Sequence, residues 1–182
     1  MKKVYLIRHG LPDFPDGARM CLGITDLPMG PAGLTQAAQA AERLPPVTTV
    51  FSSPLARAAQ TAEAIGIPVT ILPGLQEMYA GEWDGLTFDR IRKQYPELYA
   101  ARAADQTLPL PGAEDHKEAL SRFADAMDAA ACMAPGDFAV VAHGGVIALF
   151  LQKISGAWRK PTYCEIIPLY WENGNFYLQE EA

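Results

Sequence analysis

Apolar positions along the chain follow two alternating patterns, one typical of strands and the other of helices. Short apolar runs that end at Gly, Pro or polar residues are typical of buried strands. They predict strands at 4–7, 48–51, 68–72 and 137–142. Apolar residues three and four positions apart are typical of helices that bury one face. They predict helices at 31–44, 54–65, 87–95, 96–104, 116–131 and 144–155.

Proline and polar residues mark where three of these helices begin. Pro31 and Pro54 suit the first helical position, because proline has no N–H to leave unpaired there. Ser53 is a candidate N-cap for the second helix. Asp115, followed three residues later by Glu118, fits a capping box at the start of the helix at 116–131.

The order of the elements predicts an α/β fold. Strands that alternate with helices form a mostly parallel sheet with helices on both faces, which is a three-layer α/β/α sandwich. Near the C-terminus, Asn173-Gly174 predicts a hairpin turn between strands at 166–172 and 175–179, and hence an antiparallel edge to the sheet. The length of 182 residues fits a single domain over 1–182.

Composition narrows the class of protein. Apolar residues make up 49% of the chain and charged residues 20%, which is typical of a globular protein. The net charge of -6, with no basic run, argues against a nucleic-acid partner. The apolar region at 138–154 is interrupted by His143-Gly144-Gly145, so we expect no membrane span. Cys21, Cys132 and Cys164 form no CxxC pair, which favours a cytoplasmic location.

Reactive side chains follow three of the predicted strands. Arg8-His9 follows the first strand, Ser52-Ser53 the second with Arg57 one helical turn later, and His143-Gly144 follows the strand at 137–142. The carboxyl ends of parallel strands share one edge of a sheet, so these groups should converge. Arg8-His9 alone fits equally well a strand that ends in polar residues by chance.

The chemistry of the converging groups favours phosphate. An unprotonated imidazole is a nucleophile, and a neighbouring guanidinium favours its neutral form by charge repulsion. Guanidiniums and helix N-termini, such as the one expected at Gly144, both bind phosphate oxygens. A glycine pair also lets a ligand approach the backbone closely.

Four segments then match one family in order along the chain. Arg8-His9-Gly10, 52–62, 75–85 and 142–145 together resemble the histidine phosphatase superfamily, which includes cofactor-dependent phosphoglycerate mutases and related phosphatases. The resemblance covers nearly the whole chain. The segment 23–28 looks like the corresponding loop of the smaller bacterial phosphatases, including those similar to α-ribazole phosphatase.

The resemblance implies a metal-independent phosphomonoesterase that needs no cofactor and acts on a small-molecule phosphate ester through a phosphohistidine. It implies that His9 is the nucleophile and that Glu77 protonates the leaving alcohol and later activates water. His143 completes the catalytic set. The implied phosphate-binding residues are Arg8, Arg57, His143 and Gly144.

Glu82 and Asp84 are rival carboxylates in the same motif. We prefer Glu77, because the family's glutamate lies four residues before a glycine, as Glu77 does before Gly81. Glu82 and Asp84 are then expected to be solvated loop charges.

Five further residues belong to the packing of the loop, the surface or a substrate pocket. Trp83 is expected to pack the loop, and His116 is expected at the surface. Tyr79, Arg19 and Arg90 fit either the lining of a substrate pocket or a surface position.

Some features leave other functions open. Leu11, Pro12 and Pro15 stand where many family members carry Glu, Ser or Thr, and Asn, so one family contact to phosphate or substrate is in doubt.

A phosphoglycerate-type mutase is disfavoured, because mutases are longer between the Glu and second-His motifs. A catalytically silent phospholigand or protein-binding module would be expected to lose His9 or Glu77. The histidines and acids show no recognised metal-ligand spacing. A homodimer through the C-terminal hairpin is left open.

Overall fold

The computed structural model describes residues 1–178 as a six-stranded sheet with helices on both faces. The strands are β1 (Lys2–Arg8), β2 (Thr49–Ser52), β3 (Val69–Ile71), β4 (Phe138–Ala142), β5 (Ile166–Glu172) and β6 (Asn175–Leu178). The helices are α1 (Pro31–Arg43), α2 (Ala56–Glu63), α3 (Phe88–Gln94), α4 (Pro96–Ala104), α5 (His116–Met133) and α6 (Gly144–Ser155). These elements confirm the predicted α/β fold. Residue 179, the predicted end of the last strand, lies outside the described residues.

The sheet is parallel over most of its width and antiparallel at one edge. The strand order is β3-β2-β4-β1-β5-β6, and the pairs β3-β2, β2-β4 and β4-β1 are parallel. Strand β5 pairs antiparallel with β1 and with β6, and the hairpin signal predicts the β5-β6 pair. Asn173 and Gly174 form the connecting turn with φ of 51° and 79°, the left-handed backbone that these two residue types tolerate.

Both faces of the sheet are covered by helices. Val4 and Leu6 of β1 pack in the larger core, which includes α5 and α6. Tyr5 and Ile7 point the other way and pack with α2. Because side chains alternate along a strand, a strand that is buried on both faces must be apolar throughout. That requirement explains why β1 reads as an uninterrupted apolar run.

Helix α2 begins later than the sequence predicts. Its first residue is Ala56, and Leu55 is the N-cap residue without a side-chain hydrogen bond. The predicted helix start at Pro54 is therefore wrong. Ser53 does accept a hydrogen bond from the Leu55 N–H at 3.2 Å, but its hydroxyl also contacts His143. The Ser53 hydroxyl therefore contacts both the start of the helix and a residue of the predicted site.

The other two predicted helix starts are confirmed. Pro31 is the first residue of α1. Asp115 is the N-cap of α5 and accepts hydrogen bonds from the backbone N–H groups of Lys117 and Glu118. Within residues 1–178, no helix combines the length and apolar character that crossing a bilayer requires.

Candidate active site

The strand register brings the predicted reactive groups to one edge of the sheet. Arg8 pairs with Ala142 and Ser52 with Val141, so β1, β4 and β2 end side by side. The ladder then continues past the strand ends. The N–H of His9 donates to the carbonyl of Ala142, and that of Ser53 to the carbonyl of Val141, each at 3.0 Å.

His9 is held in a form that can act as a nucleophile. Its Nδ1 lies 2.7 Å from the carbonyl oxygen of Gly10, which can only accept a hydrogen bond. Nδ1 therefore carries the proton, and in the neutral ring Nε2 keeps its lone pair. Burial, followed by the charge of Arg57, holds the pKa of His9 well below 6.5. His9 is 5% exposed, and its imidazole is neutral at physiological pH.

His143 lies beside His9 at the end of β4. The two ring centroids are 5.0 Å apart, and His143 Nε2 is 2.7 Å from the hydroxyl oxygen of Ser53. Burial is the main cause that lowers the pKa of His143, with a further contribution from Arg57. The predicted pair of imidazoles is thus brought together with both rings neutral.

Arg57 supplies a fully buried positive charge beside the two rings. Its Nη1 and Nη2 donate to the carbonyls of Thr25 and Gly23, both at 2.9 Å. Its Nε is buried without a partner among the described residues. The Gly23 and Thr25 carbonyls thus hold the guanidinium in place and leave the Nε donor without an acceptor among the described residues.

Arg8 supplies the second guanidinium. Nη1 donates to the carbonyl of Pro161 at 2.7 Å, and the guanidinium lies 3.8 Å from the ring centroid of Tyr163. The ring of Tyr163 also lies 5.6 Å from that of His9. Tyr163 therefore packs against both Arg8 and His9, although no feature of the sequence predicts this role.

Glu77 is bound to the N-terminus of α6. Its Oε2 accepts from the N–H of Gly145 at 2.8 Å, and its Oε1 accepts from Val146 at 2.9 Å and Met78 at 3.0 Å. A helix N-terminus favours negative charge, and backbone N–H groups can only donate. The end of α6 therefore holds the Glu77 carboxylate, whereas the sequence argument reserved this helix end for phosphate.

The glycine pair is needed for close contacts inside the protein. A Cβ on Gly145 would lie 2.7 Å from Oε1 of Glu77. A Cβ on Gly144 would lie 2.7 Å from Cε of Lys160 and 3.1 Å from Nε of Arg8. Both glycines therefore let predicted site residues approach α6 more closely than any other residue type would allow.

Arg122 of α5 holds the segment that carries Glu77. Its guanidinium donates to the carbonyls of Gly74, Gln76 and Glu77 at 2.8 to 3.1 Å. It also forms two hydrogen bonds with the Glu114 carboxylate, at 2.6 and 2.8 Å. A guanidinium suits this task because its donors are fixed in one plane. Helical spacing on α5 gave no signal of this role.

Asp84 is not the solvated charge that the sequence predicts. Its carboxylate accepts hydrogen bonds from the backbone N–H groups of Gly23, Ile24 and Thr25 at 2.8 to 3.2 Å. Asp84 therefore holds the loop whose carbonyls bind Arg57. Glu82, by contrast, is exposed as predicted and accepts a hydrogen bond from the Tyr95 hydroxyl.

The remaining candidates divide between the cleft and the surface. Arg19 lines the cleft beside His9, and Tyr79 and His116 line its continuation beside Glu77. Trp83 is buried, as expected for a residue that packs the loop. Arg90 is exposed on α3. Among residues 1–178, no group of three or more His, Cys, Asp and Glu side chains is arranged to hold a metal ion.

Comparison with known proteins gives one consistent family. A family model described as "Histidine phosphatase superfamily (branch 1)" matches residues 4–180. Glucosyl-3-phosphoglycerate phosphatase of Mycobacterium tuberculosis is 32% identical, over 81% of this chain and 72% of that protein. Adenosylcobalamin/alpha-ribazole phosphatase of Salmonella typhimurium is 28% identical, over 84% and 79%. A solved mycobacterial glucosyl-3-phosphoglycerate phosphatase, in complex with VO3, superposes with a TM-score of 0.84 at 27% identity over 98% of both chains.

Proposed function

The chain belongs to the histidine phosphatase superfamily and is a phosphatase, and we propose that it is a metal-independent phosphomonoesterase that works through a phosphohistidine at His9. One observation carries this proposal. The imidazole of His9 is buried, neutral and fixed by the Gly10 carbonyl in the tautomer that leaves Nε2 unprotonated. Arg8 and Arg57 flank it with positive charge that can stabilise phosphoryl oxygens.

In the first half-reaction, Nε2 of His9 attacks phosphorus as the bond from phosphorus to the ester oxygen breaks. The leaving oxygen takes a proton from the Glu77 carboxyl group and departs as an alcohol. Oε2 is the oxygen suited to carry that proton, because it has one backbone contact and Oε1 has two.

In the second half-reaction, the Glu77 carboxylate takes a proton from water while the water oxygen attacks phosphorus. The bond from phosphorus to Nε2 breaks, and inorganic phosphate and neutral His9 are regenerated. The contacts of Glu77 with α6 and Met78 fit this base role, since all three donors stabilise a carboxylate.

For the substrate, we propose a small phosphorylated metabolite. The relatives are named for different phosphate esters, so similarity alone does not select among them. The resemblance of segment 23–28 to α-ribazole phosphatases makes α-ribazole phosphate the first ester to try. The loop that contains this segment holds Arg57 through its carbonyls, which places it beside the proposed phosphate pocket.

The test of the reaction is a screen of small phosphomonoesters in excess EDTA, with α-ribazole phosphate and glucosyl-3-phosphoglycerate among them. We expect full activity in the chelator. Loss of activity that a divalent ion restores would overturn the metal-independent mechanism. Phosphoryl transfer to a second alcohol in preference to water would identify a mutase instead.

The test of the intermediate uses a radiolabelled substrate and a rapid alkaline quench. Phosphohistidine survives alkali and is lost in acid, whereas phosphoserine survives acid. We expect label that is stable in alkali, labile in acid and mapped to the peptide containing His9. Label that is stable in acid and maps to Ser53 would overturn the assignment of the nucleophile.

A further inference from the structure

Beside the pocket that holds His9, the cleft opens into a side chamber of about 360 Å³. We define the side chamber by its cationic residues Arg8, Arg19, Arg102 and Lys160 and its aromatic residues Trp83, Phe88 and Tyr99. Among the described residues, no Asp or Glu side chain lines it. Because the chain as a whole carries a net charge of -6, this concentration of positive charge is local to the cleft.

Hydrogen-bond donors in the wall of the side chamber lack acceptors. Nη1 of Arg102, Nε of Arg8 and Nε1 of Trp83 are all buried without a partner in the part of the chain that the structure describes. Buried donors are ordinarily paired, because an unpaired one loses its hydrogen bonds to water and gains nothing in return. The residues that line the side chamber therefore carry more donors than the protein pairs, which favours a ligand that brings acceptors.

Lys160 lies where the side chamber meets the pockets around His9 and Glu77. It lines the side chamber, the pocket around His9 and the neighbouring pocket around Glu77. Lys160 is an exposed residue. None of the ion pairs within residues 1–178 involves Lys160 or Arg102. A group leaving from a phosphate on His9 would therefore pass the Lys160 ammonium.

The aromatic residues of the side chamber offer an apolar surface next to these charges. The rings of Trp83 and Tyr99 lie 6.4 Å apart between centroids, and the Arg102 guanidinium lies 5.9 Å from the Trp83 ring. Such a surface packs well against a flat or apolar ligand body. Cys21 adds no charge, because burial raises the pKa of its thiol to about 11.

We infer that the side chamber binds a second anionic group, a carboxylate or a phosphate, carried by the leaving group of the substrate. The inference rests on the proposed phosphatase function and narrows its substrate class to anionic phosphate esters. Lys160 and Arg102 bind the second anion, and Trp83 and Tyr99 contact the part of the leaving group that joins it to the ester oxygen.

The test compares phenyl phosphates that carry an acid with their neutral isosteres. The acid is a para carboxylate on a linker of one, two or three methylenes, and the isostere is the corresponding primary amide. A further series carries a phosphonate, which distinguishes a site for carboxylate from a site for a second phosphate. For the best linker we expect kcat/KM to favour the acid by about tenfold, mainly through KM, as for a charge-assisted hydrogen bond.

Two variants test which residues cause this preference. Arg102→Gln and Lys160→Gln should each reduce the acid-to-amide ratio of kcat/KM about three- to tenfold. Arg102→Lys should restore part of the ratio, because it restores the charge without the planar fork. Arg90→Gln is the matched control, since it removes one positive charge from exposed α3 outside the side chamber and should leave the ratio unchanged.

The outcomes separate this inference from the proposed function. If the unaltered protein hydrolyses the phenyl phosphates that carry an amide, the phosphatase activity is established independently of the side chamber. A ratio of one or less for every linker, with that activity present, would overturn the inference and leave the proposed function standing. A ratio that falls equally in Arg90→Gln and Arg102→Gln would show a long-range effect of net charge and would overturn it as well. Failure to hydrolyse any ester would instead count against the proposed function.

Discussion

The two sides of the candidate active site are built by different means. On one side, His9, Ser53 and His143 directly follow β1, β2 and β4, and the sheet's own ladder places them. On the other side, Glu77 lies on a segment without regular hydrogen bonding to the sheet. Contacts with the end of α6 and with Arg122 of α5 hold that segment in place.

The difference separates two kinds of sensitivity to mutation. The strand-end side depends on backbone hydrogen bonds that most substitutions leave intact. The Glu77 side depends on a few long side chains and on the absence of Cβ atoms at Gly144 and Gly145. Proton transfer should therefore be easier to disrupt from a distance than nucleophilic attack.

The most damaging single change should be at the strand-end side itself. His9→Ala removes the proposed nucleophile, and we expect turnover to fall at least about 10⁴-fold, with no phosphoenzyme formed. The fold should survive, because the ladder that places residue 9 uses its backbone. Turnover and alkaline trapping of label measure the effect, and circular dichroism checks the fold. Appreciable activity in a pure, folded variant would exclude His9 as nucleophile.

The next largest effect should come from Glu77, and it should depend on the leaving group. Glu77→Gln removes the proposed proton donor, so we expect about 10²–10⁴-fold loss on an alkyl phosphate. A nitrophenyl phosphate leaves as a stabilised phenolate and should be affected far less. The control, Glu82→Gln in the same loop, should give a small and equal effect on both substrates. The reverse pattern would move the acid–base role to Glu82.

A variant of Arg122 tests whether a residue outside the reaction site positions Glu77. Arg122→Ala frees the backbone of the Glu77 segment, so we expect kcat on alkyl phosphates to fall about 10- to 100-fold, as for a catalytic group displaced by about 1 Å. KM should change little. The kcat on nitrophenyl phosphate should also fall far less than that on alkyl phosphates, as we expect for Glu77→Gln. Arg122→Lys should recover part of the loss.

Arg92 is the matched control for Arg122. It pairs with Asp89 on the surface, where the side chains are 62% and 79% exposed, against 23% and 19% for Arg122 and Glu114. Such an exposed pair contributes little, so Arg92→Ala should change neither kcat nor its dependence on the leaving group. A uniform loss on both substrates in Arg122→Ala would indicate general loosening of the fold and would contradict the positioning role.

The smallest effect should appear in stability at low pH. His9 and His143 have pKa values held well below 6.5, the ordinary value that they regain on unfolding. Above pH 6.5 they are neutral in both states and contribute no pH dependence. As pH falls below 6.5, only the unfolded chain binds these protons, so each histidine lowers the free energy of unfolding by up to about 1.4 kcal/mol per pH unit.

Urea unfolding between about pH 7.5 and about pH 5 measures this slope. The double variant His9→Asn and His143→Asn should show a flatter dependence over that range. An unchanged slope would mean that other groups cause the loss of stability in acid.

What the sequence could predict follows the same division. Strand ends are visible locally, because a buried strand is an apolar run and the residue after it is easily identified. The sequence therefore predicts that Arg8, His9, Ser53 and His143 follow strand ends. The roles of Lys160 and Arg122 depend on contacts with residues that are distant in sequence. Neither the helical spacing around Arg122 nor the coil segment around Lys160 predicts those contacts.

Asp84 and Pro54 show the limits of local rules more closely. An acid in a Gly-rich loop resembles a solvated charge, and only the fold reveals that three N–H groups of another loop point at Asp84. Proline after serine is typical of a helix start, yet here the hydroxyl of Ser53 contacts His143 and α2 begins two residues after Pro54. In both cases a contact distant in sequence outweighed the local preference.

The position of β1 in the sheet has a consequence for how the protein is made. The strand that presents His9 leaves the ribosome well before both of its neighbours, because β4 and β5 lie far downstream of β1 in the chain. During synthesis β1 has no partner until β4 has emerged, and it keeps one unpaired edge until β5 follows, since pairing distant in sequence forms late. A nascent chain that stalls before β5 would therefore expose one long, apolar edge of β1, a form suited to chaperone binding and unable to turn over substrate.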